Sequence, residues 1–233
     1  MRFVPCGDAA LAVQFDELPS ASLARRIAAL RERLASDLAA GVIESIPGLA
    51  SLTVLFDPEG TSPEAVERLV LRCLASAHAP AGDARRWRIP VCYEGELAPD
   101  IEDVAAACGL SASGVVAAHS AREYVVYLLG FSPGFPYMGD LDPRLALPRR
   151  ANPRPQVPRG SVAIATTHTA IYPQSTAGGW HLIGATPVTL FAATATRPAL
   201  LSPADTVIFE PVTRETFDTL AREFAAGRKL APE

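Results

Sequence analysis

Val42-Ile43-Glu44-Ser45-Ile46-Pro47-Gly48-Leu49-Ala50-Ser51-Leu52-Thr53-Val54-Leu55-Phe56 holds two short apolar runs on either side of Pro47-Gly48. A Pro-Gly pair between such runs is the turn of an antiparallel hairpin. On the N-terminal side of the hairpin, Leu23, Ile27, Leu30, Leu34 and Leu38 recur at helical spacing, and Gly41 closes that helix. Residues 9–15, ahead of the helix, read as a strand. On the C-terminal side, Ser62-Pro63-Glu64 supplies a cap, a first-turn proline and an acid for a helix bearing Val66, Leu69, Val70, Cys73 and Leu74. After a small-residue linker at 79–83, residues 87–91 read as another strand. The order strand-helix-strand-strand-helix-strand is the split βαβ arrangement, so residues 1–83 are expected to form a ferredoxin-like α+β domain, with the strand at 87–91 completing the order.

The pattern changes beyond that strand. Pro99 or Asp100 starts one short helix, and Ser111 caps another that carries Val115, Val116 and His119. Residues 124–129 read as a strand. The Gly- and Pro-dense region that follows, to about Pro187, contains β-branched runs at 161–167, 181–183 and 188–191 that suggest many short strands. Thr213 caps a final helix with Phe217, Leu220 and Phe224 on one stripe, ended by Gly227, and that stripe reads as core packing. Residues 84–233 are therefore expected to form a barrel-like β domain, of which 84–121 is a connecting strand and helices.

Composition narrows the function. A chain of 233 residues that is 49% hydrophobic can bury two modest cores, and a formal net charge of -4 offers no broad basic surface for a nucleic acid. No apolar run approaches the ~20 residues of a membrane span, and Cys6-Gly7-Asp8 interrupts any leader-like stretch. A cytoplasmic protein is expected. Cys6, Cys73, Cys92 and Cys108 lack the paired spacing of a zinc or redox motif and read as reduced, buried thiols. Lys229 is the only lysine, which argues against a Schiff-base lysine, a phosphate-loop lysine or a Ser-Lys dyad.

Gly130-Phe131-Ser132-Pro133-Gly134 fits the G-x-S-x-G nucleophile elbow, yet Pro133 has no N–H to offer an oxyanion and Pro136 obstructs the helix that should follow. Ser132 is therefore not expected to be a nucleophile. There is no phosphate-binding G-x-x-x-x-G-K-[ST], and His119, His168 and His181 lack metal-ligand spacing. The segment Pro148-Arg149-Arg150-Ala151-Asn152-Pro153-Arg154-Pro155-Gln156-Val157-Pro158-Arg159-Gly160 is distinctive. It sets four guanidinium groups on a proline-stiffened backbone suited to bidentate binding of a carboxylate or phosphate. A solvated loop paired with surface acids is the alternative. Gly178-Gly179-Trp180 and Gly134-Phe135-Pro136-Tyr137 combine permissive backbone with aromatics, as in pockets or in tight turns.

The run His119-Ser120-Ala121-Arg122-Glu123-Tyr124-Val125-Val126-Tyr127-Leu128-Leu129-Gly130-Phe131-Ser132-Pro133-Gly134-Phe135-Pro136-Tyr137 resembles the signature of the B-type family of 5-oxoprolinase subunits, also labelled Kip inhibitor and allophanate hydrolase subunit 1. Pro148-Arg149-Arg150, Pro153-Arg154, Val157-Pro158, Gly160-Ser161-Val162, Ile171-Tyr172-Pro173, Gly178-Gly179-Trp180 and Leu182-Ile183-Gly184 extend the resemblance, with weaker matches at Gly7-Asp8 and Glu44-Ser45-Ile46-Pro47-Gly48.

The resemblance implies a ferredoxin-like domain followed by a cyclophilin-like β-barrel. It also implies partner subunits of a cyclophilin-like C type and a lactam-utilisation A type, without which the chain is inactive. The implied reaction is that of a cyclic amide hydrolase, 5-oxo-L-proline with ATP (with Mg) and water giving L-glutamate, ADP and phosphate. Phosphorylating the amide oxygen makes an unstrained lactam attackable by water, and both substrate and intermediate are anionic. On this basis Arg149, Arg150 and Arg154 are the expected anion-holding groups, Tyr172 and Trp180 line the pocket, and His119 and Glu123 form an acid-base or orienting pair. The chain departs from the family at His168 (usually glutamine), Ala177 (usually proline) and Ala185 (commonly basic), and residues 202–209 lack the usual glycine and basic residues. These departures bear on the substrate rather than the fold. The family labels also leave open a regulator that inhibits a sensor histidine kinase, and a subunit acting on urea-derived or other amides.

Overall fold

The computed structural model describes residues 1–36, 41–75 and 84–233. They divide into two compact units, Met1–Ala84 and Arg85–Glu233. Leu38 and the linker at 79–83 lie outside the described residues.

The first unit runs β1 (Arg2–Pro5), β2 (Ala10–Gln14), α1 (Ala21–Ser36), β3 (Val42–Pro47), β4 (Ser51–Phe56) and α2 (Pro63–Ala75). The hairpin of β3 and β4 turns at Pro47-Gly48, where the Gly48 N–H donates to the Ser51 carbonyl at 2.7 Å. In β4, Leu52, Val54 and Phe56 alternate inward with period two. They meet Leu23, Ile27, Leu30 and Leu34 of α1 and Val66, Leu69 and Val70 of α2 in one cluster. Each such side chain contributes roughly 1.5–3 kcal/mol by leaving water. Ser62 accepts from the Ala65 N–H at 3.3 Å, as the start signal of α2 requires.

The sheet corrects one expectation. Its order is β1-β2-β4-β3, antiparallel throughout, so the fourth strand is the short N-terminal β1. The strand expected to complete it, β5 (Arg86–Val91), belongs to the second unit. The reason is local: Asp205 is buried and accepts from the Trp87 indole N–H, the Arg85 N–H and the Ser202 N–H, each at 2.9 Å, which fixes β5 beside a C-terminal strand.

The second unit continues with α3 (Ile101–Cys108), α4 (Ala112–Ser120), β6 (Glu123–Leu129), β7 (Pro136–Met138), β8 (Arg154–Val157), β9 (Ser161–Ala165), β10 (His168–Ile171), β11 (Thr176–Gly178), β12 (His181–Ala185), β13 (Thr206–Pro211) and α5 (Arg214–Ala225). Seven strands form a curled sheet in the order β12-β9-β10-β7-β6-β13-β5, in which only the β13-β5 pair is parallel. Its two edges meet where Cys92 and Ala185 exchange both backbone hydrogen bonds at 2.9 Å. The core inside includes Trp87, Ile89, Val104, Val115, Val162, Ile164 and Phe209. β8 and β11 form a separate ribbon that carries part of the site described below.

Three further expectations need correction. Residues 188–191 make no strand: Val188 and Leu190 are buried in the core after Pro187, and only Phe191 forms a single bridge, to Ala199. No residue of α5 is fully buried, and of its stripe Phe224 packs partly against the core. Cys73 and Cys92 are buried, but Cys6 is exposed and Cys108 partly so. Among the described residues no single helix is long and apolar enough to cross a membrane.

Candidate ligand site

Phe135 is the hub of an aromatic cage. Phe131, Tyr137, Tyr172 and Trp180 approach it edge-on with ring centroids at 5.3, 5.0, 5.1 and 5.9 Å, within the range in which such pairs attract. These five rings, with Arg149, line a cavity of about 230 Å³. β7 presents Tyr137, and Ala177 and Gly178 of β11 form part of the wall. Gly178 is obligatory in that wall, because a Cβ there would stand 2.2 Å from the Tyr172 hydroxyl. Burial pushes the Tyr172 phenol up, opposed by a Trp180 backbone hydrogen bond and the charge of Arg149.

The structure divides the predicted arginines by role. Asp100, 2% exposed, accepts from Arg150 Nη1 at 3.0 Å, from Arg154 Nη1 at 2.9 Å and Nη2 at 2.6 Å, and from the Leu182 N–H at 2.7 Å. It occupies the N-terminal position of α3 yet makes no capping bond; its carboxylate ties the arginine segment to β12. Burial would raise its pKa, but the Arg154 hydrogen bonds, the Leu182 N–H and the charges of Arg154 and Arg150 outweigh that and hold it low. Arg150 keeps a buried Nε without a partner, and Arg159 bonds Thr189. Arg149 engages no carboxylate among the described residues; its guanidinium lies 6.0 Å from the Trp180 ring centroid, over the cavity.

His119 and Glu123 are not brought together. His119 is fully buried, stacked on Phe209 at 4.6 Å, with Nδ1 2.8 Å from the Tyr93 hydroxyl and Nε2 2.8 Å from Thr169 Oγ1. Thr169 donates to the Ala163 carbonyl at 3.2 Å. The relay is satisfied when Tyr93 donates to Nδ1 and a neutral ring donates from Nε2. Glu123 is exposed and pairs with Arg86 at 2.6 Å. Burial lowers the His119 pKa to about 3.

That burial has a measurable consequence. The unfolded chain takes a proton on this histidine below about pH 6.5 while the folded chain does not, so stability present at neutral pH is lost as pH falls towards 3, at up to about 1.4 kcal/mol per unit. Denaturant unfolding at pH 7 and pH 5 should show a smaller acid loss in His119→Gln than in the wild type. Equal losses would exclude a buried neutral ring.

Ser132 Oγ is buried without a hydrogen-bond partner, so no base activates it among the described residues. His168 lies edge-on to Tyr127 at 5.9 Å, and its pKa is lowered by burial, with Asp140 raising and Arg149 lowering it. Sequence reasoning missed Asp100 as a member of the site, and its only sequence signal was a helix-start aspartate. It also passed over Phe131 as a lining residue, although the Gly-rich aromatic runs flagged its surroundings.

The carboxyltransferase domain, subdomain C and D, matches residues 1–201. The B-type 5-oxoprolinase subunit of Bacillus subtilis (strain 168) is 40% identical over 228 residues, covering 93% of this chain and 95% of that protein. The B-type 5-oxoprolinase subunit of Escherichia coli O157:H7 is 43% identical over 206 residues, covering 88% and 93%. Among solved structures, TTHA0988 superposes with a TM-score of 0.76 at 37% identity over 87% of this chain, which spans 40% of that longer one.

Proposed function

We propose a function from the premise that this chain belongs to the B-type family of 5-oxoprolinase subunits, within the carboxyltransferase-domain proteins. It is a subunit of a 5-oxoprolinase, and we infer that its complex opens 5-oxo-L-proline to L-glutamate with hydrolysis of ATP. One observation carries the share of this chain in that reaction: an aromatic cavity of about 230 Å³ whose wall holds one cation, Arg149, that engages no carboxylate among the described residues. 5-Oxoproline is a compact five-membered lactam bearing one carboxylate, and the site offers aromatic rings to pack on its methylene carbons and a planar guanidinium for the carboxylate. Here Arg149 holds the carboxylate, Tyr137, Tyr172 and Trp180 exclude water from the ring, and Arg150 and Arg154, bound to Asp100, keep the wall in place.

The same cavity does not fit a nucleotide with its metal. It is smaller than the roughly 300–1,000 Å³ of larger ligand pockets, and Arg149 is the only charged side chain among its lining residues. Nucleotide binding is accordingly not assigned to this cavity. The reading includes C-type and A-type partner subunits and a cytoplasmic setting. The curled second sheet supports a cyclophilin-like barrel from about residue 84. The two helices packed on an antiparallel four-stranded sheet support a ferredoxin-like first domain, in which β1 replaces the expected last strand.

The test is glutamate release from 5-oxoproline and ATP by co-expressed A- and C-type partners, with and without this chain. Release that requires this chain is the expected result. A complete, folded complex that consumes ATP only with other lactams or urea-derived amides would overturn the substrate. No turnover of any amide would bring forward the regulator of a sensor kinase.

A further inference from the structure

Phe131 stands out at the cavity. It is 63% exposed, a large apolar side chain at the surface, yet it lines the cavity and sets its ring edge-on to Phe135 at 5.3 Å. Its backbone is left-handed, φ +66, a conformation that a non-glycine residue adopts at a cost and that concentrates at ligand clamps and active sites. The loop around it is over-determined. Gly130 N–H donates to the Phe135 carbonyl at 3.0 Å, Ser132 N–H to Gly130 at 2.8 Å and Phe135 N–H to Ser132 at 3.0 Å. Gly134, at φ +78, lies so close to Phe191 that a Cβ would come within 2.9 Å of it. A residue this exposed contributes little to the core, and its ring contact with Phe135 is a small return on the backbone cost.

Resting on the reading of the cavity as the lactam site, we propose that Phe131 is its specificity-determining residue. Its ring forms the outer wall that closes on the bound five-membered ring and excludes larger lactams. Arg149 acts on the carboxylate, which every homologous lactam shares, and cannot discriminate ring size; a rigid aromatic edge at the open side can. The left-handed backbone is what turns that edge towards Phe135.

The experiment uses the assembled complex and compares 5-oxoproline with its six-membered homologue, 6-oxopiperidine-2-carboxylate, in wild type, Phe131→Asn and Phe131→Tyr. Asparagine tolerates the left-handed conformation but has no ring; tyrosine keeps the ring. Phe131→Asn is expected to raise KM for 5-oxoproline about 3- to 10-fold, the worth of one aromatic contact, and to lose most of the preference over the six-membered ring. Its Tm should stay within about 2 °C of wild type, relieved backbone cost offsetting the lost contact. Phe131→Tyr, which keeps the ring, should restore the preference for the five-membered ring that Phe131→Asn loses. Unchanged KM and preference in Phe131→Asn would overturn the proposal while leaving the function intact. Loss of preference in Phe131→Tyr with normal Tm would also overturn it. Absence of wild-type turnover on either lactam would instead sink the reading of the site itself.

Discussion

Arg149→Ala is expected to lower kcat/KM for 5-oxoproline by about 10- to 150-fold, the worth of a charge-assisted hydrogen-bonded contact of roughly 1.5–3 kcal/mol, with Tm essentially unchanged. The guanidinium has no carboxylate partner among the described residues and touches the fold through the Trp180 ring face, so its removal leaves no buried charge unpaired. Arg149→Lys should recover only part of the loss, because an ammonium cannot match a carboxylate in two planar bonds. Arg150→Ala and Arg154→Ala should behave in the opposite manner and depress Tm first, since the former strips one hydrogen bond and the latter two from the buried Asp100. Steady-state kinetics of the assembled complex beside thermal denaturation of the isolated chain separates the two classes. Normal kcat/KM in Arg149→Ala, with losses at Arg150 and Arg154 at unchanged Tm, would reverse the assignment.

Asp100→Ala carries the largest expected cost in stability. The carboxylate receives four hydrogen bonds from two guanidinium groups and the Leu182 N–H. Deleting one partner of a buried pair costs about 3–5 kcal/mol, and the partial exposure of both arginines argues for the lower end. With about 2–4 °C of Tm per kcal/mol for a chain of this size, a fall of about 6–12 °C is expected. Activity should fall with it, because Arg149 and Trp180 flank the segment that Asp100 holds. The pKa of Asp100 is held below its ordinary value, so its stabilisation is complete above about pH 4 and is lost as pH falls further. Asp142, also held low by the Arg144 hydrogen bonds, acts in the same window. The informative quantity is therefore the difference between wild type and Asp100→Asn, which should narrow below pH 4. A constant difference from pH 7 to pH 3 would show that folding leaves the Asp100 pKa unshifted, and one that widens as pH falls would show that Asp100 is not ionised in the fold.

The legible part of the candidate site was its inventory. Arg149, Tyr172 and Trp180 announced themselves as a guanidinium on stiff backbone and as aromatics beside glycine, and all three line the cavity. The pairing of His119 with Glu123 was not legible as wrong. The two stand close in sequence, but a helix-to-strand junction turns one into the core, where Tyr93 and Thr169 take both ring nitrogens, and leaves the other on the surface with Arg86.

In the first unit, periodicity sufficed for α1, α2 and the β3-β4 hairpin, because side-chain spacing and turn chemistry act within a few residues. Periodicity also located β5 itself, and the motifs identified the family. Only tertiary structure decided which sheet β5 joins, since Trp87 and Arg85 find Asp205 well over one hundred residues away. It decided in the same way which arginine stands without a carboxylate partner among the described residues, since the carboxylate that engages Arg150 and Arg154 comes from the start of α3, about fifty residues earlier. Local patterns set the elements and their apolar faces; the partners of buried charges are chosen only when distant segments close on one another and each buried polar group must find its match.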